Sequence, residues 1–217
     1  MFYNLHTHTA THDSNILGVV NRYPTEDVDV PFFSTGIHPW YIEQDKTEKH
    51  LAVIEERLLM DNCLAIGECG LDKRIEIPLS IQIPVFEKQL LLAKKYQKPV
   101  ILHIVAAFQE LVEIKKSVVP GVPLVIHGFS KNIQTAQQLL DNGFYLSFGK
   151  YLLRNPELSG VLAKVPQERF FLETDTIEEG IQQVYEKAAL ARNIDIEDLK
   201  HSISTNFKTV FKNGRMD

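Results

Sequence analysis

Histidines and carboxylates recur in this chain at one kind of position, directly behind a short apolar run. His6 and His8 stand one residue apart in NLHTHT, His38 lies in GIHPW, and Glu68 lies in AIGECGLD. His103 closes VILH, His127 closes LVIH, and Asp175 closes FLETD. Alternate residues of a strand point to the same side, so His6 and His8 can share one ion. Buried imidazoles and carboxylates without partners would be costly, and a divalent cation is the simplest partner common to that mixture. The chemistry such a cluster offers is hydrolysis by a metal-activated water.

The elements that must position these residues alternate along the chain. Runs rich in β-branched and aromatic residues predict eight strands, at 2–5, 16–23, 32–36, 63–68, 99–104, 123–127, 144–148 and 169–174. Between most of them the apolar residues take helical spacing. Leu51, Ile54 and Leu58 form one stripe, Ile83, Phe86, Leu90 and Ala93 a second, and Ile181, Val184, Ala188 and Ala191 a third behind a capping box of Thr176 and Glu179. A last helix carries Leu199, Ile203, Phe207 and Val210. Nearly continuous apolar strands alternating with helices predict a parallel sheet covered by helices. Eight strands point to α/β architecture of the TIM type, a (β/α)8 barrel, with an open doubly wound sheet as the alternative. The first two connections are too short for full crossover helices, so the first βα units are expected to be abbreviated. In a barrel the candidate residues would all lie at the carboxyl ends of strands, where βα loops build active sites.

Bulk properties narrow the function. With 217 residues, 44% of them hydrophobic, one domain over 1–217 is expected. A net charge of −5 supplies no global field for a polyanion, so any DNA must be held by a local patch. Lys73, Arg74, Lys131, Lys150 and Arg154, all on or after strand-end loops, are the candidates for it. Cys63 and Cys69 suggest no disulfide framework, and Cys69 reads as a core-filling residue. No secretory pattern opens the chain and no window approaches the roughly 18 apolar residues of a membrane span, so a soluble cytoplasmic protein is expected. His12, Asp13, His50 and His201 read as solvated, and Gly67, Gly70 and Gly128 as sites of sharp turns or close approach.

Taken in order, these motifs resemble the TatD family of metal-dependent hydrolases, within the amidohydrolase-like TIM barrels. NLHTH is similar to the family's D-x-H-x-H, GIHPW to its G-[IV]-H-P, AIGECGLD to its A-I-G-E-x-G-L-D, and KPVILH to its P-V-x-x-H. VIHGFS resembles its V-x-H-x-F-S-G, FYLSF its Y-x-S-F, FLETD its L-E-T-D, and NFKTVF its closing N-x-x-x-x-F. The resemblance implies six metal ligands, His6, His8, Glu68, His103, His127 and Asp175, holding two divalent ions (Zn, Mn, Mg or Fe) with Glu68 as the bridging carboxylate. It also implies phosphodiester hydrolysis, commonly as a deoxyribonuclease with exonuclease character. Asp175 is then the expected general base, and His38 a contact to the substrate phosphate or a support for a ligand.

The chain departs from the family's pattern at four places. Ile104 and Val105 follow His103 where the family has Ser-Arg, TDTIEEG rebuilds the loop after Asp175, Asn4 replaces the opening Asp, and Lys131 replaces the Gly of F-S-G. These changes bear on the substrate more than on the metal. A PHP-type phosphoesterase, whose opening LHTHT also matches, is the competing enzyme reading, but it expects a D-x-H where Asp175 is followed by Thr176 and Ile177. A hydrolase of a small phosphoester or amide is another reading. A non-catalytic metal-binding interaction protein is a third. No membrane or protein partner is expected.

Overall fold

The computed structural model describes residues 1–211, so the last six residues of the expected 1–217 domain lie outside the described residues. All eight predicted strands are present, and the chain divides into two compact units, residues 1–20 with 125–211 and residues 21–124.

The first unit is built on β1 (Phe2–Thr7), β2 (Ile16–Arg22), β6 (Leu124–Ile126), β7 (Tyr145–Phe148) and β8 (Phe170–Leu172). β1 pairs in parallel with β2 from Phe2↔Ile16 to Thr7↔Val20. β6 pairs with β7 (Ile126↔Leu146), and β7 with β8 (Ser147↔Phe171). A parallel bridge, Thr7↔Asp175, carries the ladder from beyond β8 to β1. Its helices are α4 (Ile133–Asp141), α5 (Lys150–Arg154), α6 (Glu157–Leu162), α7 (Ile181–Arg192) and α8 (Ile196–Val210). No helix separates β1 from β2. The outer face of β1 is instead covered from the end of the chain, where Phe2 packs edge-on to Tyr185 and Tyr3 lies against Phe207. The buried Tyr185 hydroxyl accepts from the Tyr3 amide and donates to the Tyr3 carbonyl, each at 3.0 Å. Leu199, Ile203, Phe207 and Val210 are all buried, as the helical period predicts.

The second unit holds β3 (Phe33–Thr35), β4 (Cys63–Asp72) and β5 (Val100–Val105), paired in parallel and in order, with α1 (Thr47–Arg57), α2 (Leu79–Tyr96) and α3 (Phe108–Val118). β4 runs four residues past the predicted end, and all ten of its residues are buried. That extension depends on glycine: a Cβ on Gly70 would sit 2.1 Å from the His103 carbonyl oxygen, and one on Gly67 2.5 Å from that of Ile101. The close approach is thus of one strand to the next.

Three expectations are corrected. The buried stripe of α2 consists of Gln82, Val85, Phe86, Gln89, Leu90 and Ala93, with Ile83 half-exposed, because the two glutamines satisfy strand-end backbone that apolar side chains would leave unpaired. The capping box of Thr176 and Glu179 does not form, since α7 begins only at Ile181 with Gly180 as its cap, and Ala191 is half-exposed. His50 is buried, because it shares with Thr47, Leu51 and Ile54 the inner face of α1; His12 and His201 are exposed as expected.

Candidate metal centre

In the first unit, His6 is buried near the end of β1 and His8, just beyond the strand, is part-exposed, both directed at one carboxylate. Asp175 Oδ1 lies 3.8 Å from His6 Nε2 and 3.6 Å from His8 Nε2. Backbone bonds fix this alignment: the Asp175 amide donates to the His6 carbonyl at 3.0 Å, and the His8 amide to the Asp175 carbonyl at 3.2 Å. Asn4 adds a second tie, its amide donating to Thr174 Oγ1 at 2.8 Å and its carbonyl accepting from the Thr174 amide at 3.0 Å. The departure from the opening Asp therefore serves the joint between β1 and the segment that carries Asp175.

His127, just past the end of β6, lies beside His6 with tilted rings whose centres are 4.5 Å apart. Its Nδ1 lies 3.3 Å from Glu173 Oε1, which also accepts the Gly128 amide at 2.7 Å. A carboxylate on Nδ1 selects the tautomer whose Nε2 carries the lone pair, as ligating histidines require. Donor atoms of His6, His127 and Asp175 all fall within 4.8 Å of one another. Burial alone would push the Asp175 carboxyl up, but the imidazoles of His127 and His6 and the Lys150 ammonium outweigh it and hold Asp175 below the usual carboxylate range.

In the second unit, Glu68 and His103 meet with His38. Glu68 Oε1 lies 2.9 Å from His103 Nδ1 and 3.2 Å from His38 Nε2, and these three residues also place donor atoms within 4.8 Å of one another. His38 is buried, with Nδ1 accepting from the Trp40 amide at 3.1 Å. Asp72 stands on the far side of His103, its Oδ2 3.4 Å from Nε2 and accepting from the Trp40 indole at 2.8 Å. Burial opposes ionisation of Asp72, yet the Trp40 indole, the Arg74 amide and His103 prevail and lower its carboxyl. The strand ends are braced from α2: Gln82 accepts the Asp72 amide at 2.8 Å, and Gln89 accepts the Ile37 amide at 2.7 Å.

The six expected ligands thus fall into two groups, His6, His8, His127 and Asp175 in one unit and Glu68 and His103 in the other, the latter joined by His38. Mixed imidazole nitrogens and carboxylate oxygens of this kind suit a borderline or hard divalent ion. Glu173 supports the fit, since its buried Oε2 has no hydrogen-bond partner among the described residues and a nearby cation would offset that charge. The motifs FLETD, AIGECGLD and GIHPW contain Glu173, Asp72 and Trp40 but assign them no role. The spacing was the available signal: Glu173 lies two residues before Asp175 and Asp72 four after Glu68. Of the five cations considered for a local patch, three are paired with carboxylates, Lys73 with Glu110 at 2.5 Å, Lys150 with Asp175 at 2.9 Å and Arg154 with Glu179 at 3.5 Å.

Comparison with known families gives a match to the family described as TatD related DNase over residues 6–212. The chain belongs to that family. Among curated proteins, it is 34% identical over 154 residues to the uncharacterized metal-dependent hydrolase YabD of Bacillus subtilis, an alignment covering 69% of this chain and 60% of that protein. It is 32% identical over 155 residues to a protein of Rahnella sp. named 3'-5' ssDNA/RNA exonuclease TatD, covering 69% of this chain and 59% of the relative. These alignments therefore span about three fifths of the relatives' own length. Among solved structures, the TatD homologue YJJV of Escherichia coli superimposes with a TM-score of 0.82 at 21% identity, over 97% of this chain and 98% of that one. The likeness shows the fold, the TIM-type α/β barrel class of TatD proteins. Cys63 and Cys69 are free and buried, and among the described residues no helix is long and apolar enough to cross a membrane.

Proposed function

We propose that this chain is a single-domain, divalent-metal-dependent hydrolase over residues 1–217, cleaving phosphodiester bonds of single-stranded DNA from an end. The observation that carries the reading is the convergence of His6, His127 and Asp175 donor atoms within 4.8 Å, on strand ends of a chain that belongs to the TatD family. Two divalent ions are proposed, and His6, His8, Glu68, His103, His127 and Asp175 are the residues that would hold them. Divalent ions held there would polarise the phosphoryl oxygens and activate the attacking water.

The protein's own groups do the rest. Asp175 is the general base: its lowered carboxyl is ionised at neutral pH, Lys150 occupies Oδ2, and Oδ1 faces the histidines. Glu173 orients His127, and Asp72 with Trp40 orients His103. His38, held between Trp40 and Glu68, supports the Glu68 carboxylate. A cytoplasmic location belongs to the same proposal, supported by two free thiols.

A second reading keeps the centre and directs it at a small phosphoester, because the Ser-Arg pair after His103 is replaced by Ile104 and Val105. Metal analysis of protein purified without added metal, followed by turnover of single-stranded DNA and a panel of small esters and amides with Mg, Mn and Zn, tests both. Two equivalents and DNA cleavage are expected. Fewer than one equivalent at saturation overturns the two-ion reading, and cleavage confined to small esters selects the second.

A further inference from the structure

The helix α5 presents two cations, Lys150 and Arg154, beside the candidate centre. Lys150, Tyr151 and Arg154 line a cavity of about 740 Å³ together with Thr176, Glu179 and Gln183, contributed by the rebuilt loop after Asp175 and the start of α7. Its inner end adjoins the candidate centre, since Lys150 Nζ donates to Asp175 Oδ2 at 2.9 Å. Its outer end holds Arg154, 60% exposed and 3.5 Å from Glu179 Oε1, a solvent-facing pair that a better anion can displace. Between them Tyr151 is 41% exposed, with the Lys150 ammonium 5.3 Å from its ring centre.

Three properties of this cavity select a ligand. A guanidinium that can release its carboxylate recognises a phosphate by paired N–H donors. An exposed tyrosine ring offers a stacking surface to any base. The volume is that of a site for one small molecule. Glu178 and Glu179 in the wall balance Lys150 and Arg154, so the cavity does not attract an extended polyanion.

We propose that this cavity is a subsite for one terminal nucleotide, with Arg154 on its phosphate and Tyr151 against its base. The assignment rests on the phosphoesterase reading above and names the residues that would hold the substrate's terminal nucleotide.

Equilibrium binding tests it in the metal-loaded protein, with 2′-deoxyadenosine 5′-monophosphate as the probe and Arg154→Ala and Tyr151→Ala as variants. Both side chains are exposed, and matching thermal melts establish that the variants fold. The mononucleotide is expected to bind, each variant to weaken it at least tenfold, and a ten-nucleotide strand to gain less than tenfold over it. Absence of mononucleotide binding, or binding unchanged in both variants, overturns the subsite, and a gain of a hundredfold or more with strand length overturns the one-nucleotide limit. Hydrolysis of bis(p-nitrophenyl) phosphate by the unmodified protein reports separately on the underlying chemistry, because that ester needs no nucleotide subsite.

Discussion

Lys150 Nζ donates to Asp175 Oδ2 across 2.9 Å, leaving Oδ1 to face His6 and His8. The two oxygens of one carboxylate are thereby given different tasks, one anchored by an ammonium and the other turned to the imidazoles.

Asp175→Asn removes the base without removing the shape. Asp175 has φ +56, a conformation asparagine adopts readily, so the fold should persist. Turnover is expected to fall by about 10² to 10⁴, the range for losing a positioned proton acceptor. Steady-state kinetics beside a thermal melt check this; an Asn variant as active as the parent on the true substrate contradicts the role.

Glu173→Gln tests how His127 is oriented. The Glu173 carboxylate holds both His127 Nδ1 and the Gly128 amide, and an amide in its place weakens the first of these. Metal affinity is expected to drop by about 10- to 100-fold, as for other partners of ligating histidines. Competition titration with a chelating dye reads this directly.

Gly70→Ala should damage the sheet itself. Gly70 has φ +147, and its new Cβ would meet the His103 carbonyl oxygen at 2.1 Å, which nothing flexible can relieve. A loss of about 3 kcal/mol or more is expected, or a fall in Tm of about 6–12 °C for a chain this size. Denaturant unfolding measures it, and a variant within about 0.5 kcal/mol of the parent would show that β4 and β5 can separate locally.

Gln89→Leu keeps the bulk of a buried side chain and strips its polarity. The Ile37 amide and carbonyl, bonded to Gln89 at 2.7 and 3.2 Å, lose their partners just before His38. Each unpaired buried group costs about 1–3 kcal/mol, so a destabilisation of about 2–6 kcal/mol is expected in urea at unchanged m-value.

The Cys63 thiol is fully buried, and burial pushes its pKa up to about 12. An unfolded chain ionises this thiol near its ordinary value of 9.0, whereas the folded chain keeps the proton. The contribution to stability is therefore intact below about pH 9 and lost as pH rises towards 12. Midpoint denaturant concentrations across that window should fall, and less steeply in Cys63→Ala. Alkylation of the native protein at pH 8 should be slow until it unfolds.

Much of the architecture was legible because it is written in local patterns. Apolar β-branched runs mark all eight strands, and His6, Glu68, His103, His127 and Asp175 each sit inside a short motif tied to one strand. What escaped was set between segments. The extension of β4 depends on Gly67 and Gly70 meeting β5, and the burial of Gln82, Gln89 and His50 depends on which backbone or helix face each opposes. Side-chain polarity alone assigns such residues to solvent. The capping box failed for a related reason, since Thr176 and Glu179 satisfy the pattern while the chain enters its helix only at Ile181.

The sequence by itself determined the class of fold, the family and the residue types available to a metal, because strand period and ligand motifs are properties of a few adjacent residues. Tertiary structure decided how those residues are held: Lys150 on Asp175, Glu173 on His127, Gln89 on the backbone before His38. These partners are 25, 46 and 52 residues apart. Such contacts exist only once separate strands and helices have been brought side by side, and no spacing along the chain encodes the distances between them.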